Sequence, residues 1–124
     1  MTSQLVFDTY ALIELLEGNP AYLKYADAAM VINEFIFAEY CYITLRRYID
    51  YPAEADKKAR SVMGVITSLS REWIIDAMKF RFANRKKEMS TTDCVSYIQA
   101  RKLGIPFLTG DSAFEGMPGV EFVK

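Results

Sequence analysis

Short apolar runs separated by helical stretches leave a chain few ways to fold, and this sequence consists almost entirely of that alternation. Residues 5–7, 30–32, 73–75 and 105–108 are apolar runs three or four residues long, residues 120–123 are apolar but for Glu121, and most are separated by segments of helical period. Strands joined through helices run parallel, and a parallel sheet is covered on both faces. With 124 residues the chain is of ordinary single-domain size. The pattern predicts one α/β domain over residues 1–124, a three-layer sandwich with a central parallel sheet of about five short strands and helices on both faces.

Local signals place the helices. Residues 10–17 form a helix stopped by Gly18, Asn19 and Pro20, and a second helical segment covers residues 21–28. Asn33 is a good N-cap for residues 34–48, which are apolar on nearly every side and therefore expected to be sandwiched. Pro52 opens a helix that continues over residues 53–69. After the strand at 73–75, Asp76 caps a helix that runs to Lys87. The last unit, residues 90–111, is a helix capped by Ser90, a turn at Gly104, the strand 105–108 and an acid, Asp111, just past the strand's end; a short helical turn at 112–115 follows.

Composition excludes several chemistries. There is no histidine, which removes imidazole bases, Ser-His and Cys-His nucleophile pairs, and zinc sites that need His. Cys41 and Cys94 sit in apolar helical stretches and read as buried reduced thiols. With a net charge of −1, any hold on phosphates must come from a local patch or from metal ions. The opening residues lack a secretion signal, and the most apolar stretch, residues 35–45, is interrupted by Glu39 and falls short of the about 20 residues that span a bilayer. The expectation is a soluble, cytoplasmic protein with no membrane partner.

Most of the 16 acids have an ordinary account as solvated surface. Asp8 reads by itself as the N-cap of the helix from Tyr10, Asp93 completes a capping box with Ser90, and Asp76 is a cap. Glu39 has no such account. Its helical neighbours Phe35, Ile36, Tyr42 and Ile43 are apolar, so no basic side chain on its own helix pairs with it, and a buried carboxylate is costly unless paired or bound to a metal. Asp111 is not needed as a cap, because Ser112 and Glu115 already form a capping box.

Taken together, Asp8 and Asp111 leave strand ends, Asp93 opens a helix on the same edge, and Glu39 lies one turn inside a helix that starts at a strand end. Four carboxylates in one crevice stay ionised together only with cations among them. All-oxygen ligation suits Mg²⁺ or Mn²⁺, and the fitting chemistry is hydrolysis of a phosphodiester by an activated water. Residues 79–87, KFRFANRKK, hold five basic residues and no acid, with Phe80 and Phe82 interleaved; this run either tracks a nucleic-acid backbone, with Arg85 and Lys86 near the site, or is a solvated helix face.

Three stretches, LVFDTYALIELLEG, INEFIFAEYCYITL and STTDCVSYIQARKLGIPFLTGDSAF, are similar in order and spacing to the PIN domain family, and within it to the toxins of the virulence-associated VapBC toxin–antitoxin systems. The last of them is the most specific. The resemblance implies a PIN-like sandwich, and it puts the family's acidic metal-binding quartet on Asp8, Glu39, Asp93 and Asp111. The family's hydroxyl positions fall on Thr9 and Thr109, the latter orienting Asp111 or a phosphate, and its core aromatic falls on Phe114. It further implies a Mg²⁺- or Mn²⁺-dependent ribonuclease acting on RNA, a homodimer, and inhibition by a VapB-like antitoxin. Gly110 and Ser112 stand where many relatives carry Arg or Lys, so the site is less basic than is usual.

Three other readings compete. A non-catalytic PIN-like binding subunit of an RNA-processing complex tends to lose one or more of the acids, and this chain keeps all four. A phospho-acceptor receiver domain needs an acidic pair near the first strand and a lysine after the last, and neither is in place. A flap-type nuclease needs insertions to grip a branched duplex, and the chain has none.

Overall fold

The computed structural model of the protein describes residues 3–124. Strand β1 (Gln4–Phe7) lies at the centre, and Leu5, Val6 and Phe7 are all buried, so both its faces are covered. Strand β2 (Ala29–Val31) pairs with one side of β1 and β3 (Phe107–Thr109) with the other, while β4 (Val120–Phe122) pairs with β3. Every pairing is parallel, with Val6 opposite both Val31 and Phe107, and Thr109 opposite Phe122. The chain leaves β1 toward one edge of the sheet and later resumes at β3 on the other side. That reversal is a topological switch point, and the crevice beyond the carboxyl ends of such strands is where open α/β sheets bind ligands.

Five helices flank the sheet among the described residues: α1 (Thr9–Leu16), α2 (Glu34–Arg47), α3 (Pro52–Ser61), α4 (Arg71–Ala83) and α5 (Thr91–Leu103). Their starts follow the side chains that satisfy free helix N–H groups. Asp8 accepts from Ala11, Asn33 from Ile36, Ser70 from Glu72 and Ser90 from Asp93. Gly104, at φ 70°, ends α5 in a left-handed conformation that costs glycine little. Phe80, Tyr97, Phe107 and Phe114 pack with ring centroids 5.1 to 6.1 Å apart and join α4, α5, β3 and the turn after it. Phe114 is fully buried, as the resemblance implies. Asn33, also fully buried, caps α2 and donates to Ser96 Oγ and Gln99 Oε1 of α5 at 3.0 and 2.9 Å, tying the two helices together.

Several local expectations are corrected. Residues 73–75 are not a strand but lie inside α4; Ser70 provides the cap, and Asp76 sits mid-helix, 3.1 Å from Lys102. Three apolar residues fit a helix as well as a strand, and no turn residue stands between Ser70 and Trp73 to stop the helix. Among the described residues the sheet therefore has four strands rather than about five. Beside β2 there is only a single parallel bridge between Ile32 and Ile66, made by chain that was expected to be helical to residue 69, since α3 ends at Ser61. The segment after Pro20 is a 3₁₀ turn, Pro20–Tyr25. Helix α2 is not sandwiched: Ile36, Tyr40 and Thr44 face the core, while Tyr42 and Leu45 are 62% and 51% exposed on the outside. Both cysteines are free, Cys94 buried and Cys41 half-buried. No helix among the described residues is long and apolar enough to cross a membrane.

Candidate active site

An open cleft of about 590 Å³ lies at the carboxyl edge of the sheet, and Asp8, Thr9, Glu39, Asp93 and Asp111 all line it. The four acids come from four places in the sequence. Asp8 leaves β1, Asp111 follows β3, Asp93 is in the first turn of α5, and Glu39 is in the second turn of α2.

Asp8 is the most constrained. It is 4% exposed, its Oδ1 accepts from the Ala11 N–H at 2.6 Å, and its Oδ2 accepts from the Thr109 hydroxyl at 2.6 Å. The cap role and the site role thus use different oxygens of one carboxylate. Burial pushes its pKa up, against the opposing pull of the bonds from Thr109, Ala11 and the Gly110 N–H. Thr109, fully buried, also accepts from the Asp111 N–H at 3.0 Å, so one hydroxyl links the two acids.

Asp93 is pushed up to about 7, first by burial and then by the charges of Asp8, Asp111 and Glu39, with a further contribution from a hydrogen bond to Asp111. All four carboxylates therefore share one electrostatic field. Asp111 does cap the following turn, Ser112–Phe114, accepting from the Ala113 N–H at 3.0 Å, so the expectation that Ser112 takes that job is corrected. An aspartate bonds the backbone N–H two residues on, and a serine makes the same bond more weakly. Glu39 is exposed and not buried; the apolar residues around it belong partly to the open outer surface of α2. It accepts from the Thr9 hydroxyl at 2.7 Å, which fixes the carboxylate at the cleft.

Arg85 and Lys86 do not line the cleft. They lie in the 3₁₀ turn Arg85–Lys87 after α4, exposed to solvent. The basic residues of the cleft are instead Arg47 and Lys124. Arg47 could have been found from its spacing: Glu39, Ile43 and Arg47 recur every four residues along α2 and all line the cleft. Gly110 also lines it, and a Cβ there would stand 2.8 Å from the Val123 carbonyl oxygen, so close approach of the last strand demands glycine.

The donor set is entirely oxygen, which suits a hard divalent cation. Among the described residues no three His, Cys, Asp or Glu side chains stand close enough together to enclose an ion by themselves. That arrangement still fits Mg²⁺, which keeps several waters and is commonly held by one or two carboxylates.

The family model described as PIN domain matches residues 5–120. In solved structures the fold is similar to a chain of a toxin–antitoxin complex from Klebsiella pneumoniae, at 19% identity and a TM-score of 0.74, covering 94% of this chain and 95% of that one. It is also similar to PAE2754 from Pyrobaculum aerophilum, at 14% identity and a TM-score of 0.70, covering 98% of this chain and 92% of that one. No curated protein matches the sequence.

Proposed function

Because this chain belongs to the PIN domain family, we propose that it is a metal-dependent endoribonuclease that hydrolyses RNA phosphodiesters in the cleft, and that it serves as the VapC-like toxin of a type II toxin–antitoxin pair. The observation that carries the reading is the shared cleft of Asp8, Glu39, Asp93 and Asp111, with Asp8 and Glu39 each held by a threonine hydroxyl. One or two of these acids at a time, with waters completing the shell, would hold Mg²⁺ or Mn²⁺. When bound, the ion supplies Lewis-acid stabilisation of charge developing on the phosphate and lowers the pKa of a water.

The chain's own residues do the rest. Thr109 and the start of α1 fix Asp8 so that its carboxylate need not reorganise when substrate arrives. Thr9 holds the exposed Glu39 at the cleft instead of leaving it free in solvent. Arg47 and Lys124 bring positive charge to an otherwise acidic cleft, where an anionic backbone has to be held.

A homodimer and an antitoxin partner complete the proposal. The first is supported by the exposed apolar side of α2, and the second by the similarity to a chain described as part of a toxin–antitoxin complex. The test is cleavage of total cellular RNA by purified protein with Mg²⁺ or Mn²⁺, beside EDTA and the Asp8→Asn and Asp93→Asn variants. Metal-dependent cutting that both substitutions abolish is expected. If wild type and variants bind RNA equally and neither cuts, the nuclease reading falls and the binding subunit replaces it.

A further inference from the structure

Beside the cleft lies a second hollow, of about 350 Å³, lined by Met78, Arg81, Phe82, Arg85, Glu88 and Met89. It is built where α4 ends and the chain turns back toward α5. Phe82 is 68% exposed, which is unusual for so large an apolar ring. It is not left loose: the Arg85 guanidinium lies over the ring, 4.5 Å from its centroid, and Nη1 donates to the Phe82 carbonyl at 3.0 Å. Arg81 is fixed too, donating to the Met89 carbonyl at 3.0 Å and to the Thr91 hydroxyl at 2.9 Å. Glu88 takes a left-handed φ of 56°, a turn that brings Met89 in as the floor of the hollow.

The surroundings carry a charge that the whole molecule does not. Lys79, Arg81, Arg85, Lys86 and Lys87 fall within nine residues that contain no acid, in a chain of net charge −1. The hollow also adjoins the cleft through consecutive residues: Met89 lines the hollow and Ser90 lines the cleft.

We propose that this hollow is a single-stranded RNA subsite, in which an unpaired base next to the cleft stacks on Phe82 while Arg85, Lys86 and Lys87 hold the adjoining phosphates. An exposed aromatic ring with a guanidinium over one face suits a single strand: its other face accepts any base, the neighbouring cations follow the backbone, and a duplex, with its bases already stacked, has no free face to offer. The subsite rests on the nuclease reading of the neighbouring cleft and adds the place, at the end of α4, where the strand is held outside that cleft.

Binding can be measured without cutting. A fluorescent single-stranded RNA of about a dozen nucleotides, carrying 2-aminopurine, is titrated in EDTA with wild type, Phe82→Ala, Arg85→Ala and, as a surface control, Glu54→Ala. Stacking of one base corresponds to about a 5- to 150-fold loss of affinity on removing the ring. Phe82→Ala is expected to fall in that range and to abolish the 2-aminopurine signal, Arg85→Ala to weaken binding with a shallower salt dependence, and Glu54→Ala to bind as wild type. The matching RNA duplex is expected to bind wild type and Phe82→Ala alike. Binding of the single strand that neither Phe82→Ala nor Arg85→Ala changes overturns the subsite, as does loss of binding to an acidic antitoxin segment with RNA affinity unchanged. Wild type that binds but cuts no RNA, with binding weakened by Phe82→Ala, leaves the subsite standing and removes the nuclease reading.

Discussion

Thr109 shows how much of the site depends on side chains that carry no charge. Its buried hydroxyl donates to Asp8 and accepts from the Asp111 N–H, and among the described residues no other side chain bonds both acids. Thr109→Val keeps the shape and removes both bonds. It leaves an oxygen of Asp8 buried without its donor, at a cost of roughly 1–3 kcal/mol. Urea unfolding is expected to register that loss. Losing a partner that orients a ligand typically costs about 10- to 100-fold in activity, so RNA cleavage is expected to fall in that range, with Thr109→Ser retaining most of it. An unchanged cleavage rate for Thr109→Val would remove the hydroxyl from the site's working parts. Thr109 was named from the resemblance as orienting Asp111 or a phosphate, and it does accept from the Asp111 N–H, but its second partner, Asp8, lies 101 positions away. A pairing of that separation leaves no local trace in one sequence.

Among the elements, those with a cap or a stop residue were legible and those defined by their surroundings were not. Asn33 and Ser90 mark the starts of α2 and α5, and Gly104 the end of α5, because each satisfies backbone groups of its own helix. The placement of residues 73–75 was decided by α4 packing along α5, which an apolar triplet cannot announce. Helix α2 was misjudged for a related reason: its apolar residues face two different environments, the core and an outer surface. That outer side gives an element-scale prediction. Tyr42, Leu45, Ile49 and Tyr51 are 51% to 77% exposed on and just after α2, and contiguous apolar exposure of this kind marks interaction surfaces. Light scattering is expected to give the mass of a homodimer for wild type and of a monomer for Leu45→Glu combined with Ile49→Glu. A monomeric wild type would instead reserve this side for another partner.

For the molecule as a whole, the clustered acids set stability against charge. Asp93 in the folded protein titrates near 7 while in the unfolded chain it returns to about 3.8, and Asp8 is shifted in the same direction. Between those values the folded state holds a proton that the unfolded state has lost, so stability declines as pH rises through that window and levels off above it. Metal-free protein is therefore expected to unfold at lower urea concentration at pH 7.5 than at pH 5. Asp93→Asn should flatten the slope while eliminating cleavage. A slope that the substitution leaves intact would place its origin elsewhere. The parallel sheet and its helical cover were legible because they follow from alternation, but the number of strands was not, since residues 73–75 joined a helix, and the site's electrostatics needed the fold to bring residues 8, 39, 93 and 111 together.

The parallel sheet also gives the two ends of the described chain different neighbourhoods. Ser3 enters at the opposite edge of the sheet, where its carbonyl accepts from the Ala29 N–H, whereas Val123 and Lys124 emerge from β4 as part of the cleft wall. Any polypeptide joined after Lys124 starts beside the carboxylates. An affinity handle or fluorescent fusion on that side becomes a plug for the cleft, and one placed before Ser3 leaves it open.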